Sequence, residues 1–183
     1  MEYHKTITLK DGRECTLRNG TPQDATGVLA NFIRTHEETD FLLTYPDEIT
    51  LTLEQEEEYL KKKMESENTL ELIAVVDGRI VGTAGVDSIG RHAKVKHRAS
   101  FGISIERDYW GLGIGRAMTK ACIGCAKAAG YTQLELEVVA GNENAAALYK
   151  SVGFVEYGRN PRGFNSRLTG QQETIAMRLE LDH

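Results

Sequence analysis

Residues 110–118 read Trp-Gly-Leu-Gly-Ile-Gly-Arg-Ala-Met. Glycines at 111, 113 and 115 leave alternate positions without a Cβ, so a ligand can come close to the backbone. Upstream, residues 95–105 (VKHRASFGISI) have the composition of a strand. Downstream, Ile114, Ala117, Met118, Ala121, Cys125 and Ala128 form one apolar stripe at helical spacing, which Gly130 ends as a C-terminal cap. A strand, a glycine turn and a helix in that order place free N–H groups and the positive end of a helix at the turn. That chemistry suits a pyrophosphate.

Spacing separates the nucleotide-binding classes that use such a turn. A P-loop needs G-x-x-x-x-G-K-[ST], and no Lys-Ser or Lys-Thr pair follows here. The dinucleotide fingerprint G-x-G-x-x-G keeps Gly111 and Gly113 but has Arg116 where its third glycine belongs, although the acidic Glu135 lies about 20 residues on. That fingerprint also opens a parallel sheet, whereas antiparallel strands precede this one. A ligand-free structural turn is the remaining reading of the turn alone.

Working outward, residues 6–18 form a hairpin around Asp11-Gly12, and residues 69–86 form another around Asp77-Gly78. Thr21-Pro22 opens a helix carrying Ala25, Val28, Leu29, Phe32 and Ile33 on one face. A second helix runs from about Leu53 to Ser66, with an acidic start and a basic end that complement its dipole. Residues 35–52 have no clear period and read as an ordered functional loop. After Gly130 come a strand at 134–139, a helix at 143–152, a strand at 154–157, an irregular loop at 158–172 and a last strand at 173–181. With no linker or repeat, residues 1–183 read as one α+β domain with a mixed, largely antiparallel central sheet flanked by helices.

Residues 142–154 read Asn-Glu-Asn-Ala-Ala-Ala-Leu-Tyr-Lys-Ser-Val-Gly-Phe. With the glycine turn, this block resembles the GNAT superfamily of acetyl-CoA-dependent N-acetyltransferases. Its acyl-CoA turn, [QR]-x-x-G-x-[GA], is matched by Gly113 and Gly115, with Trp110 where Gln or Arg is usual. Its N-x-x-A-x-x-L-Y-x-x-x-G-F signature is matched from Asn142 to Phe154. The resemblance covers residues 5–181, of which 1–68 match in element order only.

The resemblance implies the acyl-CoA N-acyltransferase fold, acetyl-CoA as co-substrate and no metal. It implies that pantetheine pairs with the free strand edge at Ile103, Ser104 and Ile105, with a backbone N–H of Ile103 or Ser104 facing the thioester oxygen. The pyrophosphate would take N–H groups from Gly111, Leu112, Gly113, Ile114, Gly115 and Arg116. Asn142 would cap its helix and contact pantetheine. Tyr149 would protonate the leaving thiolate, and Glu137, five residues before Asn142, would accept the proton of the amine. Glu135, Glu106 and His97 are further carboxylate or imidazole candidates. The expected reaction is direct attack in a ternary complex by the primary amine of a small molecule, amino acid or protein. The acceptor site falls between residues 36–50, with His36, Glu37, Glu38, Asp40 and Tyr45, and residues 158–172. In the second segment Arg159, Arg162 and Arg167 could hold a carboxylate or phosphate. A homodimer is expected from family habit and from Ile175, Met177 and Leu179 on the last strand. A non-catalytic acyl-CoA sensor of the same fold and a nicotinamide oxidoreductase are the competing classes.

Composition agrees with this reading. A net charge of −5, from 22 basic and 27 acidic side chains, argues against general nucleic-acid binding. No apolar run approaches the roughly 20 residues of a membrane span, and the polar start MEYHKTITLKDGRE lacks a signal-peptide core, so a cytoplasmic location without membrane contact is expected. Cys15, Cys122 and Cys125 are an odd number, and Cys122 and Cys125 fall at i, i+3 inside the helix, as buried positions rather than a redox or zinc pair. The basic run from Arg91 to Arg98 lacks interleaved aromatics and reads as an exposed hairpin end.

Overall fold

The computed structural model describes residues 1–181. Eight strands form one sheet: β1 (His4–Thr8), β2 (Glu14–Asn19), β3 (Leu70–Val76), β4 (Arg79–Ser88), β5 (Arg98–Ile105), β6 (Gln133–Val139), β7 (Val155–Ser166) and β8 (Gly170–Glu180). The spatial order is β1-β2-β3-β4-β5-β6-β8-β7. All neighbours are antiparallel except β5 and β6. Helices α1 (Ala25–Glu38) and α2 (Leu53–Glu65) lie on one face, α3 (Ile114–Ala128) and α4 (Glu143–Ser151) on the other. Among the described residues no helix is long and apolar enough to cross a membrane.

Local chemistry sets the helix starts. Thr52 accepts the Gln55 N–H and Gln55 returns the bond to the Thr52 N–H, a capping box that opens α2. Asp24 accepts from the Thr21 N–H and hydroxyl and pairs with Arg18, fixing the turn before α1 to strand β2. Period-2 alternation divides the strands between two cores. Leu70, Leu72, Ala74 and Val76 of β3 join Met118, Cys122 and Ala126 of α3 in the larger one. Ile73, from the other face of β3, meets Ala25, Val28, Leu60 and Ile80 in the smaller one. Cys15, Cys122 and Cys125 are all buried free thiols.

Two boundaries differ from the sequence reading. Strand β5 begins at Arg98, and residues before it form an exposed turn closed by Val95 N–H and Lys96 N–H on the His92 carbonyl. The segment 158–172 is not an irregular loop but most of the β7–β8 hairpin. Gly158, Pro161 and Gly163 hide the alternation there because β7 is an edge strand whose pairing slips between Glu156 and Gly158 and again between Asn160 and Phe164. Bulges of this kind accommodate a proline that cannot donate to the ladder. Ile175 and Met177 of β8 are buried in the larger core and so present no face to a second copy.

Gly163 sits inside the second slip with its backbone against β8. A Cβ there would collide with Thr174 Oγ1 and lie 2.6 Å from its Cγ2. Thr174 is buried and cannot swing away. Gly163→Ala is expected to lower stability by about 1–3 kcal/mol, seen as a lower Tm in thermal unfolding. An unchanged Tm would show that the hairpin yields at this point.

Candidate active site

Strands β5 and β6 are hydrogen-bonded partners over only three residue pairs, Arg98–Gln133, Ala99–Leu134 and Ser100–Glu135. Beyond Ser100, β5 follows β4 as far as Ile105, while β6 follows β8 as far as Val139. The two strands therefore fork, and residues 101–105 have no pairing partner on the β6 side. Phe101 stands at the fork, edge-on to Tyr149 with ring centroids 6.1 Å apart and 6.4 Å from Phe154. This aromatic group, with Tyr149 and Phe154 themselves 5.9 Å apart, fills the space beneath the gap.

A cleft of about 670 Å³ opens at the fork. Its walls include Ile103, Ser104 and Ile105 of β5, the glycine turn from Trp110, the start of α4 and Tyr149, and the end of α1 with Thr35, Thr39, Phe41 and Leu42. The turn is built for close approach. Gly111 and Gly113 have φ of 75° and 104°, and a Cβ on either would project into open space. Gly113 is the N-cap of α3, so the first N–H groups of that helix have no intrahelical acceptor. Gly115 has a different duty. A Cβ there would meet Leu148 at 3.3 Å and Ile105 at 3.5 Å, so the glycine lets α3, α4 and β5 converge. The Lys10 N–H holds the Leu112 carbonyl at 3.2 Å and ties the turn to the first hairpin.

The residues before the turn are anchored by a buried carboxylate. Glu106 is 1% exposed and takes hydrogen bonds or ion pairs from Arg79, from Arg34 at 3.3 Å and from the Asn31 amide at 3.2 Å. Glu38 accepts the Arg107 N–H at 2.6 Å. Glu106 therefore secures the end of β5 and is unavailable as a base. Trp110, in place of the usual Gln or Arg, donates its indole N–H to the Ile105 carbonyl at 2.7 Å and leaves its ring half exposed on the cleft wall.

Of the site residues read from the sequence, the fold brings Ile103, Ser104, Ile105, Gly111, Gly113, Gly115, Arg116, Asn142 and Tyr149 around this one cleft. Ile114 points its side chain into the core and Leu112 packs against the same cluster, so both can offer only backbone. The Asn142 side chain caps α4 by accepting the Ala145 N–H at 3.3 Å. Tyr149 is buried beside the fork, and burial pushes its phenol up to about 12. Glu137 is exposed on the sheet face opposite α3 and α4, outside the cleft lining. Glu135 is held by Arg98 in a two-pronged ion pair, and His97 lies on the exposed turn before β5, at the strand end remote from the cleft.

The acceptor-side segments do meet, in a way local sequence could not show. Asp40 accepts hydrogen bonds from Ser166 and Gln172 and, at 3.3 Å, from the Tyr45 hydroxyl. The Arg167 N–H donates to the Tyr45 oxygen at 2.7 Å. The arginines expected to hold an acceptor carboxylate are largely engaged. Arg159 pairs with Glu156 and Glu173, and Arg167 with Asp47 and Glu48, while Arg162 is exposed, and no residue of 158–172 belongs to the cleft lining. Thr35, Thr39 and Lys10 are cleft residues that the sequence reading did not single out; none belongs to a motif.

A forked parallel pair beside a glycine turn and a tyrosine-bearing helix is the architecture of an acyl-CoA-dependent acyltransferase. The sequence matches the acetyltransferase (GNAT) family over residues 31–154, and the chain belongs to that family. A GNAT-family acetyltransferase structure from Streptococcus pneumoniae is 30% identical, covers 92% of this chain and 99% of its own, and superposes with a TM-score of 0.87. An acetyltransferase structure from Salmonella typhimurium, solved with its cofactor acetyl-CoA, shares the fold at 16% identity with a TM-score of 0.80, covering 92% of this chain and 95% of its own. Over 81 residues, 44% of this chain, the sequence is 36% identical to the Escherichia coli [ribosomal protein bS18]-alanine N-acetyltransferase, covering 54% of that protein. The chain spans about half or less of the length of the curated relatives it matches.

The left-handed φ at Gly113 and the open space beside it make one substitution informative. Gly113→Val is expected to weaken acetyl-CoA binding at least about 10-fold, roughly 1.4 kcal/mol. Calorimetry on the folded variant checks this; an unchanged Kd would remove the turn from the binding site.

Proposed function

We propose that this protein transfers the acetyl group of acetyl-CoA to the primary amine of a small molecule, amino acid or protein, by direct attack in a ternary complex within a single domain, residues 1–183. The observation that carries the reading is the convergence on one cleft of a free strand edge, a glycine turn at a helix N-terminus and a buried tyrosine. The protein-amine class draws support from the Escherichia coli relative, whose name specifies an alanine of a ribosomal protein.

In this reading the amides of pantetheine complete the ladder that β5 leaves open from residue 101 onward. The pyrophosphate takes N–H groups of the turn and of the first residues of α3, with the helix dipole favouring its charge. As the amine attacks, negative charge grows on the thioester oxygen, and a β5 N–H at Ile103 or Ser104 stabilises it; one such donor is typically worth about 3 kcal/mol of barrier. The sulfur leaves as a thiolate. The Tyr149 phenol beside the fork is placed to hydrogen-bond the sulfur and share its proton as the charge develops, against an upward pKa shift from burial that the developing thiolate charge must offset.

Two variants test these assignments. Tyr149→Phe keeps the ring packed against Phe101 and removes only the hydroxyl. It is expected to lower kcat about 100-fold with little change in acetyl-CoA affinity. A near-normal kcat where chemistry limits turnover would leave Tyr149 a packing residue.

The amine presents a different problem. A free lysine amine at pH 7 is neutral in only about one part in a few thousand. Exposed Glu137, on the open sheet face, accepts its proton through water in our reading. Glu137→Gln is expected to lower kcat/KM near neutral pH and to steepen the rise toward alkaline pH. Superimposable pH–rate profiles for the two proteins would assign the proton to bulk water or another carboxylate.

A further inference from the structure

The sheet face that carries α1 and α2 is covered only in part. Leaving the cleft at Ser104, β5 presents Ser104, Gly102 and Ser100 on this face. Their registered partners on β4 are Thr83, Gly85 and Asp87. Gly102, Ser100 and Asp87 are exposed, and a Cβ on Gly102 would meet nothing within 4 Å. The result is an exposed trough, bare over the Gly102 backbone and overhung at Gly85 by the neighbouring strand, that leads from Ser104 on the cleft lining toward solvent at Ser100 and Asp87.

The next strand continues the row. Gly85 registers with Glu71 of β3, whose Oε2 would lie 2.9 Å from a Cβ on Gly85. The half-buried Glu71 carboxylate therefore leans over the floor, and the Tyr59 hydroxyl of α2 holds it there at 3.1 Å. Beside it, Asp87 is engaged by the Lys63 ammonium. Across the fork, the exposed Glu137 faces the same side of the sheet. The floor offers no apolar side chain for an aliphatic or aromatic acceptor. The cations bordering it, Lys63 and Arg98, are each already paired with a carboxylate. Hydroxyls, bare backbone and an overhanging carboxylate match a polar, extended, positively charged chain.

We propose that the amine acceptor is an extended peptide that leaves the thioester across the glycine floor of β4 and β5, and that Glu71 selects a cationic side chain within a few residues of the reacting amine. The proposal rests on the acetyl-transfer reading for the position of the amine. It adds a specificity-determining residue and the chemical class of the acceptor. Glu71 also gives the preference a pH dependence. Burial pushes its carboxyl up to about 7, with Lys63 and Tyr59 opposing that rise and Asp87 and Glu56 reinforcing it. The charged form, and with it the preference, is fully present above that range and fades as pH falls through it.

The experiment compares peptide amides that carry either arginine or its neutral isostere citrulline at the second, third or fourth residue. The wild-type protein is expected to favour arginine at one of these positions at least 10-fold in kcat/KM at pH 8, and less at pH 6. Glu71→Gln is expected to bring that ratio within about threefold at both pH values. Ser100→Tyr fills the exposed end of the floor without altering charge, at a strand position paired with Glu135 of β6 and outside the free edge. It is expected to raise the KM of both peptides at least 10-fold while calorimetric acetyl-CoA affinity stays within twofold. No arginine preference in the wild type, or a preference that survives Glu71→Gln, would overturn the proposal. Calorimetric titration of the arginine peptide into CoA-saturated protein separates the two readings. Tight binding that weakens at least 10-fold in Glu71→Gln supports the trough even if no acetyl group is transferred. No binding to the wild type rejects the trough whether or not other amines are acetylated.

Discussion

The parting of β5 from β6 after Ser100 and Glu135 is the constraint on which the rest of the molecule depends. A continuous ladder would bury the amide edge of residues 101–105 in pairing and leave no cleft. Keeping the strands apart requires something solid in the gap, and Phe101, Tyr149 and Phe154 supply it. The same wedge that opens the fork thus delivers Tyr149 to the cleft wall. In the proposed reaction, packing and chemistry would be served by this one side chain.

The glycine turn inherits its position from this arrangement. The end of β5 is clamped by Glu106, held between Arg34 and Arg79, and by the Trp110 indole, which donates to the Ile105 carbonyl. A carboxylate that is 1% exposed would be costly if unpaired, so two guanidinium groups and an amide around it are what its burial demands. A glutamate so placed looks like a candidate base in sequence, and its partners show that it is structural. The reverse holds for the segment from 158 to 172, where Arg159 and Arg167 read as binding groups until Glu156, Glu173, Asp47 and Glu48 are found beside them.

The long hairpin of β7 and β8 carries no local signature of its length. Local pattern requires unbroken alternation, and Gly158, Pro161 and Gly163 interrupt it. Pairing with β8 carries the strand through two slips because the ladder on the far side of each slip offsets the local irregularity. The tip of this hairpin then reaches the loop after α1, joining Asp40 to Ser166 across 126 positions. No motif marks such a contact.

The sequence by itself determined the elements whose cause is local. The glycines at 111, 113 and 115, the cap at Asn142, the Asp77-Gly78 turn and the apolar stripe of α3 all act within a few residues, so their meaning is written where they stand. The two motif blocks also determined the family. Only the tertiary structure decided which charged groups are free. The engagement of Glu106, Glu135, Arg159 and Arg167, the exposure of Glu137 and the overhang of Glu71 on the glycine floor depend on strands and helices far apart in the chain. An ionisable side chain takes its role from the charges and solvent around it, and those are fixed only when the sheet assembles.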